Sequence, residues 1–222
     1  AAYAVLESGG LRIWTGQPGV PGGVTATIEV PEAMITTVAW APGGGTLAVG
    51  YSTGEISLYD PNGGALLLTI SAHADWIVAL AYSGDGRLLL SDSMSFDPTT
   101  TVHDAASGAL LATLVSAGWN ASLPAFSADG TLVTGVDDTG SRVFQVDTWE
   151  QTGVELPLFD AVFACDNSAL LHTAPGTTGV YDIQSGELLR AQTYGPVTCL
   201  ADGRSVVLEQ SDGVLLLRLV AP

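Results

Sequence analysis

The chain has 222 residues, 47% of them hydrophobic, and its formal net charge of −17 comes from 23 acidic residues against 6 arginines and no lysine. With a mean hydropathy of +0.36 it buries too much apolar surface to be disordered by default. The charge argues against DNA, RNA and anionic membranes as partners, which draw affinity from Lys and Arg, and no apolar run approaches the ~20 residues of a spanning helix.

In chain order, strands are expected at residues 3–7, 11–15 and 24–30, the second holding Leu11-Arg12-Ile13-Trp14-Thr15. A unit then recurs five times: an apolar strand, a polar turn and another apolar strand. Its copies begin at Val38-Ala39-Trp40, Leu80-Ala81-Tyr82, Pro124-Ala125-Phe126, Val162-Phe163 and Thr198-Cys199. The slot held by Trp40, Tyr82, Phe126, Phe163 and Cys199 recurs at intervals of 42, 44, 37 and 36 residues. A second slot keeps step with it, an apolar run ending in an acid: Tyr59-Asp60, His103-Asp104, Val146-Asp147 and Tyr181-Asp182. Small or polar turns follow, and then outer strands at 65–70, 109–115 and 187–192.

The runs are of about four to eight residues and are bounded by Gly, Asp, Asn and Pro, which reads as strand rather than helix. Asp85-Gly86, Asp129-Gly130 and Asp202-Gly203 stand where a hairpin needs positive φ. Four short strands in such a period make a propeller blade. The expected fold is all-β, a β-propeller of four-stranded antiparallel blades in one domain, 1–222. Six blades are in view. The first lacks its innermost strand and the last its outermost, so the ring either closes with six blades or belongs to a longer chain with a seventh. With no initiator Met or leader, the chain reads as a processed or excerpted product, and its compartment, cytoplasmic or secreted, stays open.

These repeats resemble the WD-repeat family over nearly the whole chain. The best copy is Ser71-Ala72-His73-Ala74-Asp75-Trp76 leading into Leu80-Ala81-Tyr82-Ser83-Gly84-Asp85-Gly86, similar to the family's Gly-His start, inner strand and Asp-Gly turn. Val102-His103-Asp104 resembles its Trp-Asp strand. The resemblance implies a buried His–Ser/Thr–Asp–Trp hydrogen-bond network, expected to be incomplete because Tyr59, His103, Val146 and Tyr181 replace Trp and only His73 matches the Gly-His histidine. Trp40, Tyr82, Phe126, Phe163, His73, His103, Asp60, Asp104, Asp147 and Asp182 are accordingly read as structural repeat residues.

Catalytic signals are sparse. His73, His103 and His172 each have a structural reading, and no Ser-His arrangement, phosphate cradle, calcium loop or zinc spacing is present. Asp85, Asp129, Asp166 and Asp202 recur because hairpins recur. Asp92 and Asp97, in an expected loop at 91–100, read as solvated acids, with cation binding as the alternative. Cys165 and Cys199 are out of register with each other and are expected as free thiols. Asn120-Ala121-Ser122 fits the glycosylation triplet, which matters only in a glycosylating pathway. No metal or cofactor is expected.

A large apolar residue precedes each inner strand: Met34, Trp76, Trp119, Phe159 and Tyr194, at 6, 6, 7, 4 and 5 residues before the repeat slot. They either plug gaps between blades or form a partner-binding rim, edged by Asp75, Asp137, Asp138 and Asp160. Aromatic faces beside carboxylates suit a Lys- or Arg-bearing protein or peptide. The expected function is a non-enzymatic protein-interaction scaffold. The alternatives are a lactonase-like propeller hydrolase with an acidic metal site at the channel mouth, and a regulatory propeller of a larger multidomain protein.

Overall fold

The computed structural model describes residues 2–7, 10–15, 23–29, 33–93, 99–116, 124–137, 140–156, 161–163, 169–174, 177–183, 185–192, 197–199, 205–210 and 213–218. Among them there is no α-helix, only a 3-10 turn at Pro42–Gly44 and antiparallel strands. The chain forms two compact units, Ala1–Thr113 and Leu114–Pro222.

The first unit opens with a three-stranded sheet, β1 (Ala2–Glu7), β2 (Gly10–Thr15) and β3 (Gly23–Glu29). A four-stranded sheet follows: β4 (Ile35–Trp40), β5 (Leu47–Tyr51), β6 (Glu55–Tyr59) and β7 (Leu66–Ser71). The next four-stranded sheet is β8 (Ile77–Tyr82), β9 (Leu88–Ser93), β10 (Thr99–Asp104) and β11 (Leu110–Ser116), whose last residues run into the second unit. The second unit continues with β12 (Leu132–Asp137), β13 (Gly140–Gln145) and β14 (Gln151–Leu156) in a three-stranded sheet. Then come the four strands β15 (Ala161–Phe163), β16 (Ala169–Ala174), β17 (Thr177–Asp182) and β18 (Leu188–Gln192), and the three strands β19 (Val197–Cys199), β20 (Ser205–Gln210) and β21 (Gly213–Arg218).

Burial explains the apolar runs. Every residue of β5 is buried, because a strand covered on both faces has no solvent side to make polar. Leu47, Val49 and Tyr51 pack with Leu11, Ile13, Ala26 and Ile28 of the first sheet. Ala48, on the opposite pleat, packs with Ile56, Leu58 and Ile70 and, from the next sheet, Ile77 and Leu89. In the second unit Val143 of β13 packs with Phe163 and Leu170 of the following sheet.

The two repeat slots meet in one row of each sheet. Trp40 pairs with Leu47 and Leu47 with Tyr59; Tyr82, Leu89 and His103 do the same, and so do Phe163, Leu170 and Tyr181. In the fourth repeat the row is Phe126, Val133 and Phe144. Its inner strand is reduced to the single Phe126–Val133 bridge. Pro124 has no N–H for a ladder, and the Ala125 N–H is taken by the Thr134 hydroxyl at 2.9 Å.

The fourth repeat also corrects a register. Asp60, Asp104 and Asp182 each donate their N–H to the carbonyl five residues on and accept at their own carbonyl from a glycine four residues on, Gly64, Gly108 or Gly186. In the fourth repeat Gln145 makes both bonds, to Glu150 and from Trp149. Phe144 and Gln145 therefore hold the slot, and Val146 and Asp147 lie in the turn two residues later. Trp149 sits at φ 60 where the other repeats have glycine, a left-handed conformation that costs a side-chain-bearing residue about 1–2 kcal/mol.

Candidate partner-binding site

Met34 and Trp76 stand at equivalent points of neighbouring sheets, each just before an inner strand that starts with the same irregularity. Ile35 pairs with Tyr51 but Thr37 with Gly50, and Ile77 pairs with Ser93 but Ala79 with Asp92, leaving Thr36 and Val78 as extra residues. Such a bulge bends a strand end and re-aims the residues beside it. Met34 is 51% and Trp76 45% exposed.

The turn between β5 and β6 ties the two loops together. Ser52 donates its N–H to the Met34 carbonyl at 2.9 Å and accepts the Met34 N–H on Oγ at 3.2 Å. Two residues on, the Gly54 carbonyl accepts the N–H groups of Ala72 and His73 at 3.2 and 3.0 Å. A Cβ at Gly54 would collide with the His73 carbonyl and stand 2.9 Å from the Asp75 carbonyl oxygen. The left-handed φ of 83 and this approach both require glycine. The half-buried Asp75 accepts the Trp76 main-chain N–H on Oδ1 at 2.8 Å, which holds the carboxylate at the start of the Trp76 residue. Ser52 and Gly54 were absent from the sequence reading. Their signal was the Ser52-Thr53-Gly54 turn composition, which marks a hairpin but not what it touches.

Of the other expected rim residues, Trp119, Phe159, Tyr194, Asp138 and Asp160 lie outside the described residues, as do Cys165 and Asp97. Asp137 is the last residue of β12, paired with Gly140. His172 lies in β16 opposite Ala161 and Gly179.

Below the Trp76 loop, His73 joins a hydroxyl cluster. Its Nε2 lies 2.9 Å from Ser91 Oγ and 3.3 Å from Thr101 Oγ1, its Nδ1 lies 3.2 Å from Thr99 Oγ1, and Ser91 and Thr101 bond each other at 2.9 Å. Burial, reinforced by the nearby His103, pushes the His73 pKa down to about 4. His103 is buried and lowered by burial in turn, and its Nδ1 has no partner among the described residues. The same is true of the buried Tyr82 hydroxyl and Ser93 Oγ. An indole at position 103 would bring a single N–H; the imidazole brings two nitrogens and leaves one unsatisfied.

The expected loop at 91–100 is corrected too. Residues 91–93 complete β9 and 99–100 begin β10, because the hydroxyls of Thr100 and Thr101 pair with Asp92 and Ser91 across the strands. Asp92 is therefore buried rather than solvated. It accepts from Thr100 Oγ1 at 3.0 Å, and burial pushes its pKa up to about 6. Among the described residues no three His, Cys, Asp or Glu side chains converge as a metal site would require. The turn acids serve the hairpins: Asp85 Oδ1 accepts from Ser83 Oγ at 2.6 Å and the Arg87 N–H at 3.0 Å, and Asp129 does the same for Ser127 and Thr131.

Antiparallel sheets in series, with their slots aligned in rows, define a β-propeller. The family described as the anaphase-promoting complex subunit 4 WD40 domain matches residues 8–85, and the WD domain, G-beta repeat family matches residues 64–132. Together they run over more than half of the chain. The structure is similar to the crystal structure of the C-terminal WD40 domain of Sif2, with a TM-score of 0.72 and 20% identity over 96% of this chain and 67% of that one. It is also similar to the computationally designed Ika8 protein, with a TM-score of 0.69 and 17% identity over 97% and 70%. No curated protein matches the sequence. The chain belongs to the WD-repeat family, whose repeats generally mediate protein–protein interaction.

Proposed function

We propose that this chain is a non-enzymatic protein-interaction scaffold, a single propeller domain over 1–222 that takes a Lys- or Arg-bearing peptide segment of a partner at the rim formed around Met34 and Trp76. The observation that carries the reading is the matched exposure of these two large side chains at equivalent repeat positions, joined through the Ser52–Gly54 turn. Large exposed apolar residues held on rigid strand ends are the anchors that dominate interface energies. Asp75 beside Trp76 supplies the carboxylate, and a net charge of −17 steers a cationic partner inward. Trp119, Phe159 and Tyr194, with Asp137, Asp138 and Asp160, are the candidates at the corresponding sequence positions of the later repeats.

The test is an array of peptides with varied Lys and Arg content, probed with wild type and with the Met34→Ala/Trp76→Ala and Trp76→Ala/Trp119→Ala variants. Wild type is expected to select basic peptides, more strongly at low salt, and both folded variants are expected to lose them. Equal binding by wild type and variants would overturn the assignment.

A further inference from the structure

A second exposed apolar feature of the first unit lies away from this rim, on the outer side of β7. β7 is last in its sheet, and no strand pairs with its far side among the described residues. Its sequence, Leu66-Leu67-Leu68-Thr69-Ile70-Ser71, has no charged residue. Leu66 is 57% and Leu67 56% exposed. Folded proteins usually guard such an edge with Lys, Pro, an inward charge or a bulge, because its free N–H and C=O groups template another strand; β7 has only a bulge, where Leu67 stands between the Leu66–Tyr59 and Leu68–Leu58 pairs.

The surroundings of β7 are acidic. A Cβ at Gly108 would stand 3.1 Å from both Leu68 Cδ2 and Ile70 Cγ1, so the turn that carries Asp104 packs against β7 from the next sheet. Asp104 Oδ1 accepts from Ser107 Oγ at 2.7 Å and from the N–H groups of Ser107 and Ala106 at 2.8 and 3.2 Å. These bonds, with a smaller contribution from Arg87, lower its pKa. Asp60 lies at the Leu66 end of the strand, where its N–H bonds the Ala65 carbonyl, and the exposed Glu55 pairs with Ser71 at the other end.

We propose that the outer side of β7 is a strand-docking edge: an extended partner segment, with apolar residues in alternation between flanking lysines or arginines, adds to the sheet β4–β7 as a fifth strand. Main-chain hydrogen bonds along the edge supply affinity, and the partner side chains that meet Leu66 and Leu67 supply selectivity. The six residues of β7 span about 20 Å, room for a segment of similar length. A second copy of this chain is disfavoured as the occupant because it brings a second charge of −17 to the contact. A basic segment gains from Asp60, Asp104 and Glu55 instead.

The probe is a fluorescent peptide of alternating valine and threonine with two lysines at each end, titrated against the whole chain by anisotropy and by hydrogen exchange. The expected result is binding that weakens with salt, slowed exchange along Leu66–Ser71, and an affinity lower by about tenfold in Leu67→Ser and by more in Leu67→Lys. Position 67 is exposed, and thermal melts confirm that both variants are folded. A peptide with proline in place of the central valines, which cannot complete the ladder, is expected not to bind. The Met34→Ala/Trp76→Ala variant is expected to bind the probe as wild type does, so failure of the rim assignment and failure of this one are distinguishable. No binding, equal binding of the proline peptide, equal binding by Leu67→Lys, or protection elsewhere than β7 would overturn the proposal. So would dimerisation of the free chain that is abolished by Leu67→Ser, which would make a second copy the occupant.

Discussion

The carbonyl oxygen of Gly54 accepts the His73 N–H at 3.0 Å, so the β5–β6 turn of one sheet holds the loop that presents Trp76 in the next. Replacing Gly54 by Ala forces a Cβ against the His73 backbone at a left-handed φ. The expected loss is about 3 kcal/mol, from left-handed strain plus overpacking. Gly63, with nothing within 4 Å, is the control, and Gly63→Ala is expected to stay within about 0.5 kcal/mol of wild type. Urea unfolding of the two variants checks this; a small effect at Gly54 would show that the two loops are not rigidly coupled.

Tyr82 separates packing from polarity at one repeat slot. Its ring packs against the core cluster that contains Leu89, and its buried hydroxyl has no partner among the described residues, while burial pushes its pKa up to about 12. Tyr82→Phe removes only the unsatisfied group and is expected to leave stability unchanged or raise it by about 1 kcal/mol. Tyr82→Ala empties the site and is expected to cost about 3 kcal/mol. If Tyr82→Phe were clearly destabilising in denaturant unfolding, the hydroxyl would have an ordered water or another partner.

Two groups, His73 in the loop before β8 and the buried Asp92 in β9, pull the pH dependence in opposite directions. The His73 pKa falls from 6.5 to about 4. The unfolded chain therefore binds more protons between those values, and stability present above pH 6.5 is lost as pH falls toward 4. The Asp92 pKa rises from 3.8 to about 6. Its contribution is full below pH 3.8 and is lost as pH rises through 6. Between about pH 4 and 6 the two offset each other. Asp92→Asn is expected to steepen the acid loss, and His73→Gln to leave stability rising as pH drops from 6 to 4. Melting temperatures across this window decide it, and identical profiles for the two variants would refute both assignments.

The register of the fourth repeat is testable at two aspartates. Asp182 Oδ1 accepts from the Ser185 N–H at 2.7 Å and from Ser185 Oγ at 2.9 Å, so Asp182→Ala is expected to cost about 1 kcal/mol. Asp147 is exposed in the turn, two residues past the slot that Gln145 holds. Asp147→Ala is expected to fall within about 0.5 kcal/mol of wild type. Equal losses in thermal unfolding would restore Asp147 to the repeat position.

By itself the sequence determined the period, the strand type and the row of aromatic slots. Those follow from which side chains must be buried, and burial leaves a local pattern of apolar runs and turn residues, as at Trp40, Tyr82 and Phe163. The short three-stranded first and last sheets were legible for the same reason. Register in the fourth repeat was not, because Val146-Asp147 imitates the slot and only the hydrogen bonds of Gln145 separate the two. Nor was β9 legible through Ser91, Asp92 and Ser93: polar residues read as a loop until Thr101 and Thr100 of the neighbouring strand are seen to pair with Ser91 and Asp92. Of the proposed rim, the sequence supplied Met34 and Trp76 and offered packing between blades and presentation to a partner as alternatives, with packing the favoured one. Exposure was decided by tertiary structure alone, through a bulge at each strand start and a glycine turn from the adjoining strand pair. Contacts between residues far apart in the chain leave no periodic trace, and those contacts set which large apolar side chains face water.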